Sequence, residues 1–371
     1  MSMGITGEKN EKPRIGVINV WCNRGTSYQS QFLIDVLRRH YDIFLFLYKE
    51  KTMPPLAGLE ERTVFFKKDN PKDIINWIRN NHLDMVFSPG RDERDSVLDW
   101  AKSNDFLLVP VLNYEELENR LLDHYRKYLK ILCPVKCTYD ALKKMGLDNL
   151  HLIRCAVDTS VYSAAEKSPP GPVRFLHNAG WGGAGWRKNT EAVLSAFEIA
   201  SAGNKDMTLL FKTQRPLKEY PPEVLKMAKS NPKIIVNEKD VSLEEMLSIY
   251  RSCDVSLLPS KWEGIGLPFI ESLSVGLPVI TVDAPPMNEW IENGVTGHCC
   301  KVSSWEDRGP DSLIKGALVD VEDLAKQILR FSDRDLINSM RDNCINFAKE
   351  LERNFRSGTV GFVESLLEKR S

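Results

Sequence analysis

The sequence predicts an α/β protein built as two doubly wound halves, and three observations carry that prediction. Short apolar runs of β-type residues alternate with longer helical patterns along the chain. The alternation starts afresh after a stiff proline-rich stretch, Ser168-Pro-Pro-Gly-Pro172. The length, 371 residues, suits two or three domains at about 150 residues each.

In the first half, Ile15–Val20 reads as a buried strand. The stretch from Thr26 to His40 reads as a helix with Phe32, Leu33, Val36 and Leu37 on one face. Ile43–Tyr48, Met85–Phe87 and Leu107–Leu112 read as strands, with helices over Pro71–Asn81 and Ser96–Ser103. Strands separated this way mark βαβ units and a parallel sheet. Glu115–Leu129 reads as an amphipathic helix, with Leu117, Leu121, Leu122, Tyr125 and Leu129 near one face. A short strand and a helix over Thr138–Met145, closed by Gly146, complete this half.

The second half repeats the architecture. Strands are expected at Val173–Ala179, Thr208–Thr213, Ile234–Val236, Val255–Pro259 and Val279–Asp283. Helices are expected at Thr190–Ala200, Ser242–Cys253, Pro268–Val275, Val321–Phe331 and Asp335–Glu350, with a C-terminal helix near Gly361–Lys369. Ser242 and Glu245 form a capping box. The expected domains are 1–168 and 173–350. Ligands of such sheets bind at the carboxyl ends of the strands, so a cleft between the halves is the expected site.

Composition narrows the function. Lys plus Arg total 50 against 51 for Asp plus Glu, which gives no global field for a nucleic acid. The eight cysteines contain no CxxC pair and no second pair at zinc spacing. Buried free thiols in a reducing, cytoplasmic setting are expected. Met1–Pro13 lacks the apolar core of a signal peptide. The apolar runs fall short of the roughly 20 residues that span a bilayer.

Gly180, Gly182 and Gly185 satisfy GxGxxG after a strand and before a helix. A dinucleotide site also wants an acidic residue on the next strand, and that strand carries Lys212. The Walker pattern fails at Trp186. Arg187, Lys188 and Lys212 around a glycine-rich turn suit a pyrophosphate cradle; a flexible turn with solvated charges is the alternative. His177 beside the loop reads as a structural strand-end residue.

The most informative segment runs from Pro259 to Glu271. A strand ends at Pro259, Gly264 and Gly266 make a turn, Pro268 suits the first position of a helix, and Gly276 stops it. Glu263 in the loop and Glu271 near the helix start can reach different hydroxyls of one elongated ligand, while the free N–H groups of the helix face its phosphates. A Glu early in a helix is also an ordinary dipole partner.

This segment resembles the retaining GT-B glycosyltransferases, family 4 type (glycosyl transferases group 1). Their Glu-x7-Glu signature is matched by Glu263 to Glu271, set between Pro259-Ser260 and Gly276-Leu-Pro-Val-Ile280. Asn288-Glu289, Glu292-Asn-Gly-Val-Thr-Gly297, Cys155-Ala-Val-Asp158 and Lys188-Asn189 are similar to further family segments. The resemblance implies a GT-B fold in which the C-terminal helix, 352–371, packs back on the first domain, and metal-independent hexosyl transfer from a UDP- or GDP-linked sugar, with no cofactor. It implies that Glu271 binds the ribose, Glu263 contacts the donor sugar, and Lys188 neutralises the leaving diphosphate. Gly264, Gly266, Leu267, Phe269 and Ile270 would present backbone to the phosphates, joined by Gly180, Gly182 and Gly25. The family's usual Arg, about six residues before the Lys, is replaced here by Gly182, and Arg187 or Lys212 would supply the second cation. Its usual N-domain His has no counterpart near Asn113-Tyr114. Asp333-Arg-Asp335 reads as helix capping rather than a metal site.

The acceptor region is less legible. Asn23-Arg24-Gly25-Thr26 is the best cleft loop, and Arg91 and Arg94 would meet an acidic acceptor or remain solvated. Arg126, Lys127 and Lys130 suit peripheral membrane contact, whereas Glu115, Glu116, Glu118 and Asp123 suit a solvated face. A glycan, a lipid-linked or a protein acceptor all fit. A nucleotide-sugar epimerase and a catalytically silent scaffold are the alternative readings.

Overall fold

The computed structural model describes residues 12–22, 25–49, 56–66, 70–89, 95–164, 171–181, 187–202 and 206–370. Asn23, Arg24, Arg91, Arg94, Gly182, Gly185, Trp186 and residues 168–170 of the proline-rich stretch lie outside the described residues.

The first sheet contains β1 (Arg14–Trp21), β2 (Asp42–Lys49), β3 (Thr63–Phe66), β4 (Met85–Pro89), β5 (Leu107–Val111), β6 (Ile131–Cys133) and β7 (Leu150–Leu152). Their order is β3-β2-β1-β4-β5-β6-β7. β1 pairs in parallel with β2 and β4. Helices α1 (Gly25–Leu37), α2 (Pro71–Asn80), α3 (Asp95–Ser103), α4 (Leu122–Arg126) and α5 (Lys136–Lys144) belong to this part of the chain. α2 starts where its sequence demands: Asn70 caps it, accepting from Lys72 N at 3.1 Å, and Pro71 follows.

The second sheet contains β8 (Val173–Gly180), β9 (Met207–Thr213), β10 (Ile234–Asn237), β11 (Val255–Leu257), β12 (Val279–Val282) and β13 (Gly297–Cys300), with β14 (Val302–Asp307) and β15 (Lys315–Val319) as a separate antiparallel pair. Its helices are α6 (Thr190–Ser201), α7 (Pro222–Ser230), α8 (Leu243–Arg251), α9 (Leu267–Ser274), α10 (Val321–Arg330) and α11 (Arg334–Leu367). The order is β10-β9-β8-β11-β12-β13, parallel throughout. Strand order reverses between β8 and β11, and crevices for ligands open at such reversals. Phe175, Leu209, Phe211, Val279, Ile280 and Val282 are fully buried along these strands. The near-continuous apolar runs that marked them in the sequence follow from burial on both sheet faces.

The chain divides into two compact units. One comprises Met1–Val111, Arg126–Ile131 and Arg356–Ser371, the other Leu112–Tyr125 and Leu132–Phe355. The helix expected over Glu115–Leu129 does not form as one piece. It breaks into turns at Tyr114–Glu116 and Asn119–Leu121, followed by the five-residue α4. Tertiary pairing is the cause: Asn119 N donates to Asp311 O at 2.8 Å, and Leu313 N to Leu117 O at 2.9 Å. Leu117, Leu121 and Tyr125 are buried all the same, whereas Leu129 is exposed. The late helices expected over Asp335–Glu350 and Gly361–Lys369 are largely one continuous helix, α11, since no proline interrupts it. β11 stops at Leu257, short of Pro259.

Candidate active site

The site is built around the turn between β11 and α9. Gly266 takes a left-handed backbone (φ 91°) as the N-cap of α9, a conformation open to glycine. A Cβ there would come within 2.9 Å of the Phe269 ring. Leu267 is the first helical residue, so Pro268 occupies the second position rather than the first. Gly276 (φ 87°) ends the helix as expected. The side chains of Leu267, Phe269 and Ile270 are buried, so only their backbone can face a ligand. The Phe269 N–H already donates to Gly266 O at 3.0 Å.

Glu263 is 3% exposed and carries three donors. Lys188 Nζ and Ser260 Oγ (2.6 Å) donate to its Oε1, and Arg187 Nη1 to its Oε2. Burial alone would raise this carboxyl, but the Arg187 guanidinium and Lys188 ammonium outweigh it and hold the carboxyl down to about 2. Burial pulls the Lys188 ammonium below its ordinary value, with Glu263 opposing. The carboxylate is therefore anionic throughout the neutral range.

Glu271 follows one turn into α9. Its Oε1 accepts from Tyr162 Oη at 3.0 Å and its Oε2 from Tyr250 Oη at 2.6 Å. Burial raises this carboxyl above its ordinary value, and the two tyrosine hydroxyls pull it back. Two glutamates eight residues apart thus occupy opposite electrostatic settings: Glu263 between two cations, Glu271 between two phenols.

Of the other expected residues, Lys212 and Gly180 lie at the ends of the neighbouring strands β9 and β8. Lys212 is fully buried, and its ammonium donates to the carbonyls of Thr213 (2.9 Å) and Lys239 (2.7 Å). Gly180 ends β8 with φ 54°. Gly25 opens α1 in the other unit. His177 is structural as expected, with Nδ1 at 2.9 Å from Leu257 O and Nε2 at 3.0 Å from Thr190 Oγ1. Asp333 and Asp335 sit at the start of α11, where Asp333 accepts from Asp335 N at 2.9 Å.

Four side chains here escaped the sequence reading. Glu115 Oε2 lies 3.7 Å from Arg187 Nη1, which gives that guanidinium a second carboxylate. Tyr114 N donates to Gly264 O at 3.0 Å and Arg308 Nη1 to Glu115 O at 3.2 Å, so the 113–116 turn is docked onto the Glu263 loop. Tyr162 and Tyr250 complete the set. Tyr250 carried a signal, as a large polar-tipped residue on the apolar face of α8; the others are placed only by tertiary structure.

The fold so described is the GT-B arrangement of glycosyltransferases. A glycosyltransferase from Rickettsia africae matches it with a TM-score of 0.76 at 14% identity, over 96% of this chain and 99% of that one. The pneumococcal O-GlcNAc transferase GtfA, solved with UDP and GlcNAc, matches with a TM-score of 0.71 at 12% identity, over 96% and 99% of the two chains. Residues 183–308 match the model of the family glycosyl transferases group 1. An Escherichia coli UDP-Gal:α-D-GlcNAc-diphosphoundecaprenol α-1,3-galactosyltransferase is 31% identical over 99 residues, 27% of this chain and 21% of that relative. The chain spans between 21% and 26% of the length of the curated relatives it matches.

Proposed function

We propose that this chain is a retaining glycosyltransferase that moves a hexose from a nucleoside-diphosphate sugar to a hydroxyl acceptor. The observation that carries the reading is the Glu263–Gly264-Ile-Gly266–Glu271 turn with Arg187 and Lys188 on its first carboxylate, inside the segment that matches the family. In this reading the donor's diphosphate lies near the start of α9, which no side chain caps. Arg187, one quarter exposed, turns from Glu115 toward the phosphates, and Lys188 opposes the charge that grows as the C1–O bond breaks. The acceptor oxygen then bonds C1 on the face the diphosphate left, and its proton passes to the departing diphosphate oxygen. Glu263 accepts hydrogen bonds from the sugar hydroxyls, and Glu271 from the ribose.

No metal enters this reading, because the two cations supply the positive charge that the leaving diphosphate needs. UDP is the first nucleotide to test, since GtfA is a GT-B relative in structure and was solved with UDP. We place the protein in the cytoplasm on its eight free cysteines, seven of them buried. Among the described residues no helix is long and apolar enough to cross a membrane.

Thermal unfolding against UDP, GDP and their sugar conjugates tests the reading. A true donor at 100 times its dissociation constant stabilises the fold by about 2.7 kcal/mol. Glu271→Ala is expected to abolish most of that shift. A full shift in the variant would remove Glu271 from the ribose site, and no shift with any nucleotide would remove the donor site altogether.

A further inference from the structure

We propose that Tyr162 and Tyr250 are positioning residues for Glu271, clamping its carboxylate so that one acceptor direction on each oxygen meets one hydroxyl of the nucleotide ribose. The inference rests on the proposed reading of Glu271 as the ribose acceptor. It goes beyond that reading in naming what gives a flexible glutamate its aim.

The geometry is bidentate from behind. Each carboxylate oxygen takes one tyrosine, Oε1 at 3.0 Å and Oε2 at 2.6 Å. An ionised carboxylate offers about four acceptor directions, so about one per oxygen is left over besides weaker contacts. A ribose presents two hydroxyls on adjacent carbons, which is the spacing a fixed carboxylate can take with both oxygens. An unclamped glutamate would lose side-chain entropy on binding; the clamp spends it at folding instead.

The clamp is itself held on several sides. Tyr250 comes from α8 and is fully buried, and its Oη accepts from Asn178 Nδ2 of β8 at 3.0 Å. Tyr162 comes from the segment after β7, and its carbonyl accepts from Ser274 Oγ of α9 at 2.7 Å. β8, α8, α9 and the segment after β7 therefore converge on one carboxylate. The two hydroxyl donors also counter the burial that raises the Glu271 carboxyl, and the Lys188 ammonium adds to them. Burial keeps Cys155 a thiol by pushing it up to about 12, and the Glu271 charge adds to that.

The test is calorimetric titration of UDP, 2′-deoxy-UDP and 3′-deoxy-UDP into the full-length protein, with the GDP series run in parallel. The wild type is expected to prefer the ribonucleotide over either deoxy analogue by about tenfold, the value of one hydrogen bond to a charged group. Tyr250→Phe and Tyr162→Phe keep the ring and remove only the hydroxyl. Each is expected to cut that preference severalfold, with the affinity for the deoxy analogues unchanged. The acid limb of ribonucleotide binding is expected to move to higher pH in both variants, because Glu271 loses a donor that favours its ionised form. Should Tyr250→Phe fail to fold, Tyr162→Phe decides alone. Variants that keep the wild-type ribose preference and acid limb would overturn the clamp while leaving the donor site intact. A wild type that binds nucleotides without ribose preference, or binds none, would overturn the reading of Glu271 and the clamp with it.

Discussion

Glu263→Ala is expected to destabilise the protein by about 3–5 kcal/mol, the cost of leaving a buried ion pair with one partner. Lys188 is nearly as buried as Glu263, with side chains 7% and 4% exposed, and it donates to Glu263. Arg187 keeps Glu115 at 3.7 Å and suffers less. Urea unfolding would show the loss as a lower midpoint at unchanged slope. The double variant Glu263→Leu/Lys188→Met removes both charges and is expected to recover much of the stability while remaining inactive. Turnover without stability loss in Glu263→Ala would contradict both roles, structural and chemical. Because Glu263 ionises near 2 in the fold against about 4.3 for a free glutamate, its contribution is full above about pH 4.5. It fades as pH falls through that range towards 2.

His177 is expected to dominate the next pH window up. Burial lowers its imidazole to about 4, with the Leu257 carbonyl opposing and Lys188 assisting. The unfolded chain takes up this proton near 6.5. Between those values the unfolded state holds the extra proton, so stability is full above about pH 6.5. It declines by roughly 3 kcal/mol as pH falls to about 4. The fold disfavours a proton there because the imidazole is buried beside the Lys188 ammonium, although Nδ1 lies against Leu257 O and Nε2 against Thr190 Oγ1. Unfolding free energies at pH 7 and pH 4.5 check this. His177→Phe would lie lower at pH 7 for want of two hydrogen bonds, but its curve would be flatter across the window. An equally steep curve in His177→Phe would place the titrating group elsewhere.

The strands and most helices were legible because both sheets are buried on two faces, which leaves uninterrupted apolar runs such as Val279–Val282. Local chemistry was legible too: the Ser242–Glu245 box forms, with Glu245 N to Ser242 Oγ at 3.2 Å. Glu263 and Glu271 stood out by spacing within one turn and helix. What stayed hidden was long-range. Tyr162 reaches Glu271 across 109 positions, and no periodicity encodes such a contact. The 115–129 segment misled for the same reason: its apolar spacing reports burial correctly, but backbone pairing with Asp311 and Leu313 replaces the helical hydrogen bonds. Lys212 was legible as a cation and illegible as a buried one, since its ammonium is held by two backbone carbonyls, one of them 27 positions away along the chain.

Gly264 has a consequence of a different kind. A Cβ at that position would lie 2.8 Å from Glu115 Oε1, the mobile tip of a half-exposed side chain. A methyl group there displaces a carboxylate rather than backbone, so Gly264→Ala keeps the fold and swings Glu115 away from Arg187. The guanidinium would then answer to Glu263 alone. An uncharged substitution at one glycine therefore acts as a charge substitution at its neighbour, a way to tune the positive potential of the loop by volume.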